Sequence, residues 1–394
     1  MKLAARLGRI DPFYVMECAK AAVELARSPA CADSPMIFLN IGEPDFTAPP
    51  PVLEAAQRCM QGGRTHYTQA TGEPRLRERI SRWYAQRFGL DIPAQRIIVT
   101  AGASAALQLA CLALVERGDE VLMPDPSYPC NRHFVAAADG VPVLLPASAA
   151  QRFQLDAAGV EAAWTARTAG VLLASPSNPT GTSIAPGEMG RIVQAVRARG
   201  GFTIVDEIYL ALSFDDAYGR SALAHAVQGD VISINSFSKY FCMTGWRLGW
   251  MVVPPALVGA IEKLAQNLFI CASTIAQRAA LACFEPESIA EYERRRAEFK
   301  ARRDVVVPAL NAMGLTVPVM PDGAFYAWAD CSAHAASSWD FVFDTMRRAH
   351  VALTPGRDFG RHGAERWVRL SYANSLAQLE EAMARLAASL VAPR

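Results

Sequence analysis

Short apolar runs alternate along the first two thirds of the chain with segments in which apolar residues recur at helical spacing. Runs such as 171–174 and 202–205 are continuously apolar, as expected for parallel strands that helices cover on both faces. Strands are predicted at 36–41, 96–100, 120–123, 141–145, 170–174, 202–206, 231–235 and 248–253. Helices are predicted at 12–27, 51–61, 73–88, 101–114 and 187–199. The pattern indicates an α/β fold with a mostly parallel central sheet and helices on both faces.

The last third of the chain follows a different pattern, which is mainly helical beyond about residue 255. Strands are predicted there at 315–319, 324–329, 351–353 and 367–372, and helices at 338–349 and 376–391. This mixture predicts a smaller α+β domain, which the first helix, 12–27, joins. That helix has Asp11 as its predicted N-cap and Pro12 at its first position. We therefore expect a large domain over 41–290 and a small domain formed by 1–40 and 291–394.

Composition narrows the classes of partner. The chain has 39 basic and 38 acidic residues and a net charge of +1, which argues against coating nucleic acid or an anionic membrane. The charged stretch 291–304 interleaves both signs at helical spacing, so it indicates the solvated face of a linking helix rather than a nucleic-acid patch. No window approaches the ~18 apolar residues of a membrane span.

The cysteines indicate a reducing compartment. Nine of them are scattered along the chain without a Cys-x-x-Cys pair, and no histidine cluster has the spacing of a metal site. We expect a soluble cytoplasmic protein without a bound metal.

Lys239 is the strongest single indication of chemistry. Only five of the 39 basic residues are lysines, and this one follows the predicted strand 231–235 directly, in Ser236-Phe-Ser-Lys239. A lysine amine, unlike a guanidinium, loses its proton when desolvated and attacks a carbonyl carbon to form a Schiff base. The alternative is a lysine whose stem covers apolar surface at a strand end.

Polar residues follow the carboxyl ends of several predicted strands, where ligands bind in open α/β sheets. They form the segments 125–128, 175–181, 206–209 and 236–239. Earlier in the chain, Gly42 begins a turn directly after the predicted strand 36–41. The backbone at this glycine could approach a ligand closely, or Gly42 could be an ordinary turn glycine. The small residues 101–104 open a helix whose amino end could bind a phosphate, although this signal is weak alone.

Taken together, these motifs resemble the fold type I, pyridoxal phosphate-dependent aminotransferases of class I/II, in the family's order and over nearly the whole chain. The cofactor-lysine signature is matched by Ser236-Phe-Ser-Lys239 with Arg247 eight residues on, in Met-Thr-Gly-Trp-Arg-Leu-Gly. The companion motifs are Ser177-Asn-Pro-Thr-Gly181, Asp206-Glu-Ile-Tyr209, Pro321-Asp-Gly-Ala-Phe-Tyr326 and Pro355-Gly-x-x-Phe-Gly360. Their joint occurrence is highly specific, whereas any one of them could arise by chance.

The resemblance implies a role for each site residue toward pyridoxal 5'-phosphate. Lys239 would hold the cofactor as a Schiff base and then carry the substrate's α-proton, and Asp206 would keep the pyridine nitrogen protonated. Tyr209 and Asn178 would bind the ring hydroxyl oxygen, and Tyr128 would stack on the ring. The phosphate would be bound by Ala103, Ser104, Ser236, Ser238, Arg247 and, from a neighbouring subunit, Tyr67. The resemblance thus implies a homodimer. Helix capping by Asp206 and core packing by Tyr128 are the structural alternatives.

For the substrate, the resemblance assigns the α-carboxylate to Arg369, assisted by Asn178 and the Gly42 amide. Two features leave the preferred substrate side chain undetermined. Ser104 stands where some relatives that favour acidic substrates have lysine, and the loop 129–133 could form part of the pocket or surface only.

The predicted function is therefore transfer of an amino group from an L-amino acid to a 2-oxo acid, 2-oxoglutarate or pyruvate, by a ping-pong mechanism. One alternative is a β-lyase or related reaction on the same scaffold, because the fold does not fix which bond breaks. A cofactor-sensing regulatory module is less well supported, since the chain lacks a segment resembling an appended DNA-binding domain.

Overall fold

The structure is a computed structural model that describes residues 2–12, 14–226 and 230–391. Its central sheet has seven strands in the order β2-β8-β7-β6-β5-β3-β4, and only β8 runs antiparallel to its neighbours. These strands are β2 (Ile97–Thr100), β3 (Glu120–Asp125), β4 (Val141–Pro146), β5 (Thr168–Ala174), β6 (Phe202–Asp206), β7 (Val231–Ser236) and β8 (Gly249–Val252). The predicted mostly parallel sheet is confirmed.

Helices cover both faces of this sheet. Successive residues of strand β5 pack into different apolar clusters. Val171 and Leu173 lie in one cluster with Ile192 of the helix Pro186–Arg197, and Leu172 lies in the other with Leu107 of the helix Gly102–Leu114. This alternation follows from the pleat and explains why the strands are apolar throughout. The helices are α1 (Tyr14–Ala26), α2 (Pro50–Gln61), α3 (Pro74–Phe88), α4 (Gly102–Leu114), α5 (Pro129–Ala137), α6 (Ala157–Ala163), α7 (Pro186–Arg197), α8 (Val258–Leu268), α9 (Thr274–Ala280), α10 (Pro286–Ala312), α11 (Ser338–Arg348) and α12 (Leu376–Val391).

Two smaller sheets lie outside the central one, and the first of them joins the two ends of the chain. Strand β1 (Ile37–Phe38) pairs in parallel with β10 (Val351–Ala352). Strands β11 (Thr354–Pro355), β12 (Trp367–Ser371) and β9 (Tyr326–Asp330) form an antiparallel sheet with β12 in the centre. The division at residues 40 and 290 stays a prediction; α10 runs through the second of these boundaries.

Three local predictions are wrong. Segment 315–319 contributes a single bridge, Thr316 to Asp330, rather than a strand. Residues 129–133 open helix α5 instead of forming a loop, because Pro129 occupies a first-turn position that needs no amide donor. The first helix begins at Tyr14 rather than residue 12, so Asp11 is not its cap. Position 13 of that predicted helix lies outside the described residues.

The described part of the chain has no helix with both the length and the apolar character needed to cross a membrane. All nine cysteines are free thiols.

A buried arginine fixes the turn after β1 against the long helix α10. Arg302, 2% exposed, donates Nη1 and Nη2 to the two carboxylate oxygens of Asp45 at 2.8 and 2.9 Å. Its Nη2 also contacts Glu298 at 2.6 Å. A forked pair of this geometry holds the segment that follows Gly42 in one position.

We expect Asp45→Ala to lower the free energy of unfolding by about 2 kcal/mol, because it leaves a buried guanidinium with one carboxylate partner instead of two. Asp304, whose side chain is 44% exposed and which pairs with Lys300 and Arg303 of the same helix, is the control. Asp304→Ala should change the value by less than about 0.5 kcal/mol. Urea unfolding at one protein concentration measures both. Equal effects would contradict the assigned role of the Asp45 pair.

Candidate active site

A cavity of about 360 Å³ opens at the carboxyl ends of the parallel strands. The adjacent strands β5, β6 and β7 each deliver a last residue or following loop to it, so that Ala174, Asp206 and Ser236 line one edge. The amino end of α4, the turn at Gly42 and helix α1 complete the wall. The structure thus brings together segments that are distant in sequence, as the parallel topology requires.

Lys239 projects into this cavity. Its Nζ donates to the carbonyl oxygen of Gly42 at 2.7 Å and lies 5.7 Å from the ring centre of Tyr209. Burial is the main cause that lowers the pKa of Lys239 from its ordinary value of 10.5 to about 8; Glu43 and Asp206 oppose the shift, and the cations Arg369 and Arg247 add to it. About a tenth of the amine is therefore neutral, and nucleophilic, at pH 7, far more than for an ordinary lysine.

Asp206 forms the floor of the cavity at the end of the central strand β6. It is 3% exposed, and its carboxylate accepts the backbone amide of Ile208 at 3.2 Å. Burial raises its pKa to about 7, with a smaller contribution from the neighbouring Glu207. A carboxylate desolvated in this way without an ion-pair partner among the described residues is suited to a cationic ligand group.

A narrow cradle lies at the amino end of α4. Ala103 and Ser104 face Ser236, Ser238 and Arg247 across it. Backbone amides at a helix amino end, hydroxyls and a guanidinium are the donors that a dianionic phosphate requires.

Glycine is required where the cradle is tightest. Gly102 has φ of +80°, and a Cβ there would lie 2.8 Å from Nη2 of Arg247. A Cβ at Gly249 would lie 2.8 Å from the amide nitrogen of Ala103. Any side chain at either position would therefore fill the space that a phosphate needs or displace the groups that bind it.

Two tyrosines meet beside the lysine. The hydroxyl oxygens of Tyr209 and Tyr326 are 2.9 Å apart, and both residues are buried. A Cβ at Gly42 would come within 2.6 Å of the Tyr326 hydroxyl, which explains the glycine in that turn. Tyr326 lines the cavity although sequence reasoning named it only as the end of the motif at 321–326. Tyr128 also lines the cavity, and burial raises its pKa.

Arg369, on the central strand β12, is held in a fixed orientation. Its Nη1 donates to Oδ1 of Asn178 at 3.0 Å and its Nη2 to the carbonyl oxygen of Asn40 at 2.7 Å. The guanidinium lies between the rings of Tyr326 and Phe359, 4.6 and 4.8 Å from their centres. Its hydrogen-bond partners in the described part of the chain are uncharged and it is 3% exposed, so it can bind a carboxylate with little competition from water.

The remaining wall is apolar and was not predicted. Val15, Met16 and Ala19 of α1 line it together with Ile41 and Leu107. Helical periodicity identified α1 but not which part of the protein its exposed face would meet.

Tyr67 lies outside this chain's cavity and is 78% exposed. Within the described ranges, no group of three or more His, Cys, Asp or Glu side chains could hold a metal ion.

Comparison with known proteins agrees with this geometry. Residues 34–386 match the family described as aminotransferase class I and II, and the chain belongs to that family. It is 35% identical to the valine–pyruvate aminotransferase of Mycobacterium tuberculosis over 98% of this chain and 97% of that protein. It is also 35% identical to the aspartate aminotransferase of Pyrococcus horikoshii, over 90% of each. The solved aspartate aminotransferase of Thermus thermophilus with maleate superposes with a TM-score of 0.91 at 31% identity, covering 99% of this chain and 100% of that one.

The protein is therefore an aminotransferase of fold type I that uses pyridoxal 5'-phosphate. The cavity fits that cofactor. The cradle at Gly102 has the donors for a phosphate, Asp206 provides an unpaired buried carboxylate, and Lys239 provides an amine of lowered pKa.

We expect Gly102→Ala to weaken pyridoxal phosphate binding at least about tenfold, because the new methyl group strains the backbone and displaces Arg247. Titration of the cofactor-free chain, followed by visible absorbance, measures the dissociation constant. Gly200→Ala is a matched control, since Gly200 has φ of +70° but nothing within 4 Å of its Cβ position. Equal affinity in the two variants would show that the cradle is not the phosphate site.

Proposed function

We propose that this aminotransferase moves the amino group of an L-amino acid with an uncharged side chain to a 2-oxo acid, pyruvate or 2-oxoglutarate, in two half-reactions of a ping-pong cycle. The observation that carries the proposal is the placement of Lys239, Asp206 and Arg369 in one cavity. These groups provide an amine, a buried carboxylate and a carboxylate-binding fork.

The positions of the side chains support one role for each of them. When bound, pyridoxal phosphate would supply an aldehyde that condenses with amines and a ring that accepts electrons from the substrate's α-carbon. Asp206 would hold a proton on the ring nitrogen, and Tyr209 and Asn178 would donate to the ring hydroxyl oxygen. Lys239 would remove the substrate's α-proton as a base and give it back as an acid within the same half-reaction.

The cradle and Tyr128 orient the cofactor. Ala103, Ser104, Ser236, Ser238 and Arg247 would bind its phosphate, and Tyr128 would stack on its ring. Arg369 binds the substrate's α-carboxylate, with Asn178 and the Gly42 amide beside it. Holding the substrate at its carboxylate aligns the α-hydrogen with Lys239, which is how positioning lowers the barrier.

The apolar wall supports an uncharged side chain. The cationic side chains that line the cavity among the described residues are Lys239, Arg247 and Arg369, and each has a role already. Ser104 offers no charge to a distal carboxylate. The valine–pyruvate activity in the name of one relative agrees with this choice.

We infer a cytoplasmic homodimer in which Tyr67 binds the phosphate of the neighbouring subunit. Support comes from exposed apolar side chains in two segments of the described surface. Leu53 and Met60 lie on α2, shortly before Tyr67, and Leu268 and Ile270 lie at and just after the end of α8. A contact between subunits would cover these side chains.

The lowered pKa of Lys239 gives a pH dependence. The neutral amine attacks the aldehyde, so the rate at which the cofactor-free chain condenses with pyridoxal phosphate should rise about tenfold per pH unit and level off above about pH 8. Stopped-flow visible absorbance measures this rate, and Lys239→Ala, the control, should show no such phase. A rate still rising at pH 10 would contradict the lowered pKa.

A half-reaction screen tests the substrate class. The cofactor-loaded enzyme mixed with single L-amino acids should lose its visible band fastest with aliphatic ones such as valine or alanine, and at least about tenfold more slowly with aspartate. Pyruvate or 2-oxoglutarate should then restore the band. Release of ammonia and pyruvate without need for a 2-oxo acid would instead identify a β-lyase.

A further inference from the structure

One short turn contacts both helix α1 and Arg369. It consists of Arg357, Asp358 and Phe359, which follow β11. Helix α1 carries the apolar wall of the cavity, and Arg369 is the group to which we assign the substrate carboxylate. The turn therefore contacts both ends of the space in which a substrate side chain would lie.

Asp358 provides the attachment to α1. Its Oδ1 accepts the backbone amide of Tyr14 at 3.2 Å and its Oδ2 that of Val15 at 3.0 Å. These amides belong to the first turn of the helix, which has no partners for them within the helix. The carboxylate thus serves as an N-cap from a residue more than 340 positions away in the chain.

The anchor is itself fixed. Asp358 is 1% exposed, and its carbonyl oxygen accepts Nη2 of Arg132 at 2.9 Å. Arg132 lies on α5, which packs under the central sheet's edge strand β4. Asp358 therefore cannot shift without breaking a contact to a buried guanidinium.

The residues on either side of Asp358 make further contacts, Arg357 with α1 and α11 and Phe359 with Arg369. The guanidinium of Arg357 lies 5.0 Å from the ring centre of Tyr14 and 4.3 Å from that of Trp339. The ring of Phe359 lies against the Arg369 guanidinium and belongs to the apolar cluster on which Val15 packs. Displacement of the turn would move α1 relative to Arg369.

We propose that Asp358 is a positioning residue that fixes the α1 wall at a set distance from Arg369 and thereby determines how well the enzyme discriminates among aliphatic side chains. This inference rests on the proposed function. A substrate bound at Arg369 extends its side chain toward Val15 and Met16. Loss of the cap frays the first turn of α1, so long side chains lose their contacts while the methyl group of alanine loses little.

Hydrogen exchange and kinetics of the cofactor-loaded enzyme test this inference. We expect Asp358→Ala to accelerate amide exchange in residues 14–19 and to lower the ratio of kcat/KM for leucine to that for alanine about fivefold. Asp358→Asn keeps one acceptor oxygen and should give smaller changes in the same direction, which keeps the test available if the alanine variant folds poorly. Asp344→Ala, which removes an exposed carboxylate on α11, is the control and should match the wild type.

A double mutant distinguishes positioning from general loss of stability. If Asp358 acts through α1, Asp358→Ala should change the leucine-to-alanine ratio of kcat/KM much less in a Met16→Ala background. The Met16→Ala change has already removed the α1 side chain that Asp358 is proposed to position against the substrate. Equal changes in both backgrounds, or equal losses with leucine and alanine, would overturn the selectivity role. Unchanged exchange in residues 14–19 would overturn the cap itself.

The outcomes also separate this inference from the proposed function. If the wild-type enzyme transaminates no aliphatic amino acid, the proposed substrate class is wrong and the selectivity role is overturned with it. The exchange measurement still decides whether Asp358 holds α1, since it requires no substrate.

Discussion

Three charged side chains, Asp206, Lys239 and Arg369, are withdrawn from water in one cavity, and none forms an ion pair with another among the described residues. Desolvation raises the pKa of Asp206 to about 7 and lowers that of Lys239 to about 8. Such groups are costly to bury unless a ligand completes their interactions. The rest of the fold holds them in place: β6 and the strand–loop unit after β7 deliver the first two, and the central strand β12 delivers the third.

Close backbone approach is the second requirement of the site. Gly102, Gly249 and Gly42 each occupy a position where a Cβ would come within 3 Å of a group that lines the cavity. At Gly102 the backbone also has a positive φ, so that two independent constraints exclude a side chain there. The contact between Gly42 and Tyr326 joins the turn after β1 to β9 and so links segments from both ends of the chain.

The cap of helix α1 shows how distant parts of the chain determine the shape of the substrate pocket. Sequence rules place an N-cap next to its helix, and Asp11 with Pro12 satisfied those rules. The protein instead uses Asp358, whose burial raises its pKa to about 6 and whose two oxygens meet the first amides of the helix. A local cap would stabilise the helix, whereas a distant one also fixes its position on the protein.

The sequence by itself determined the α/β class, the strands of the parallel sheet and the motif that contains Lys239, because these depend on periodicity and on residues close together in the chain. The rule that parallel strands end at one edge also brought together the segments 125–128, 175–181, 206–209 and 236–239, whereas Arg247 and Arg369 were assigned through the family resemblance. The tertiary structure decided the contacts of α1, the place of Tyr326 and the helical start of 129–133, and it left 315–319 without a strand. Those outcomes depend on which surfaces meet, and hydrogen bonds between residues hundreds of positions apart leave no pattern in the local sequence.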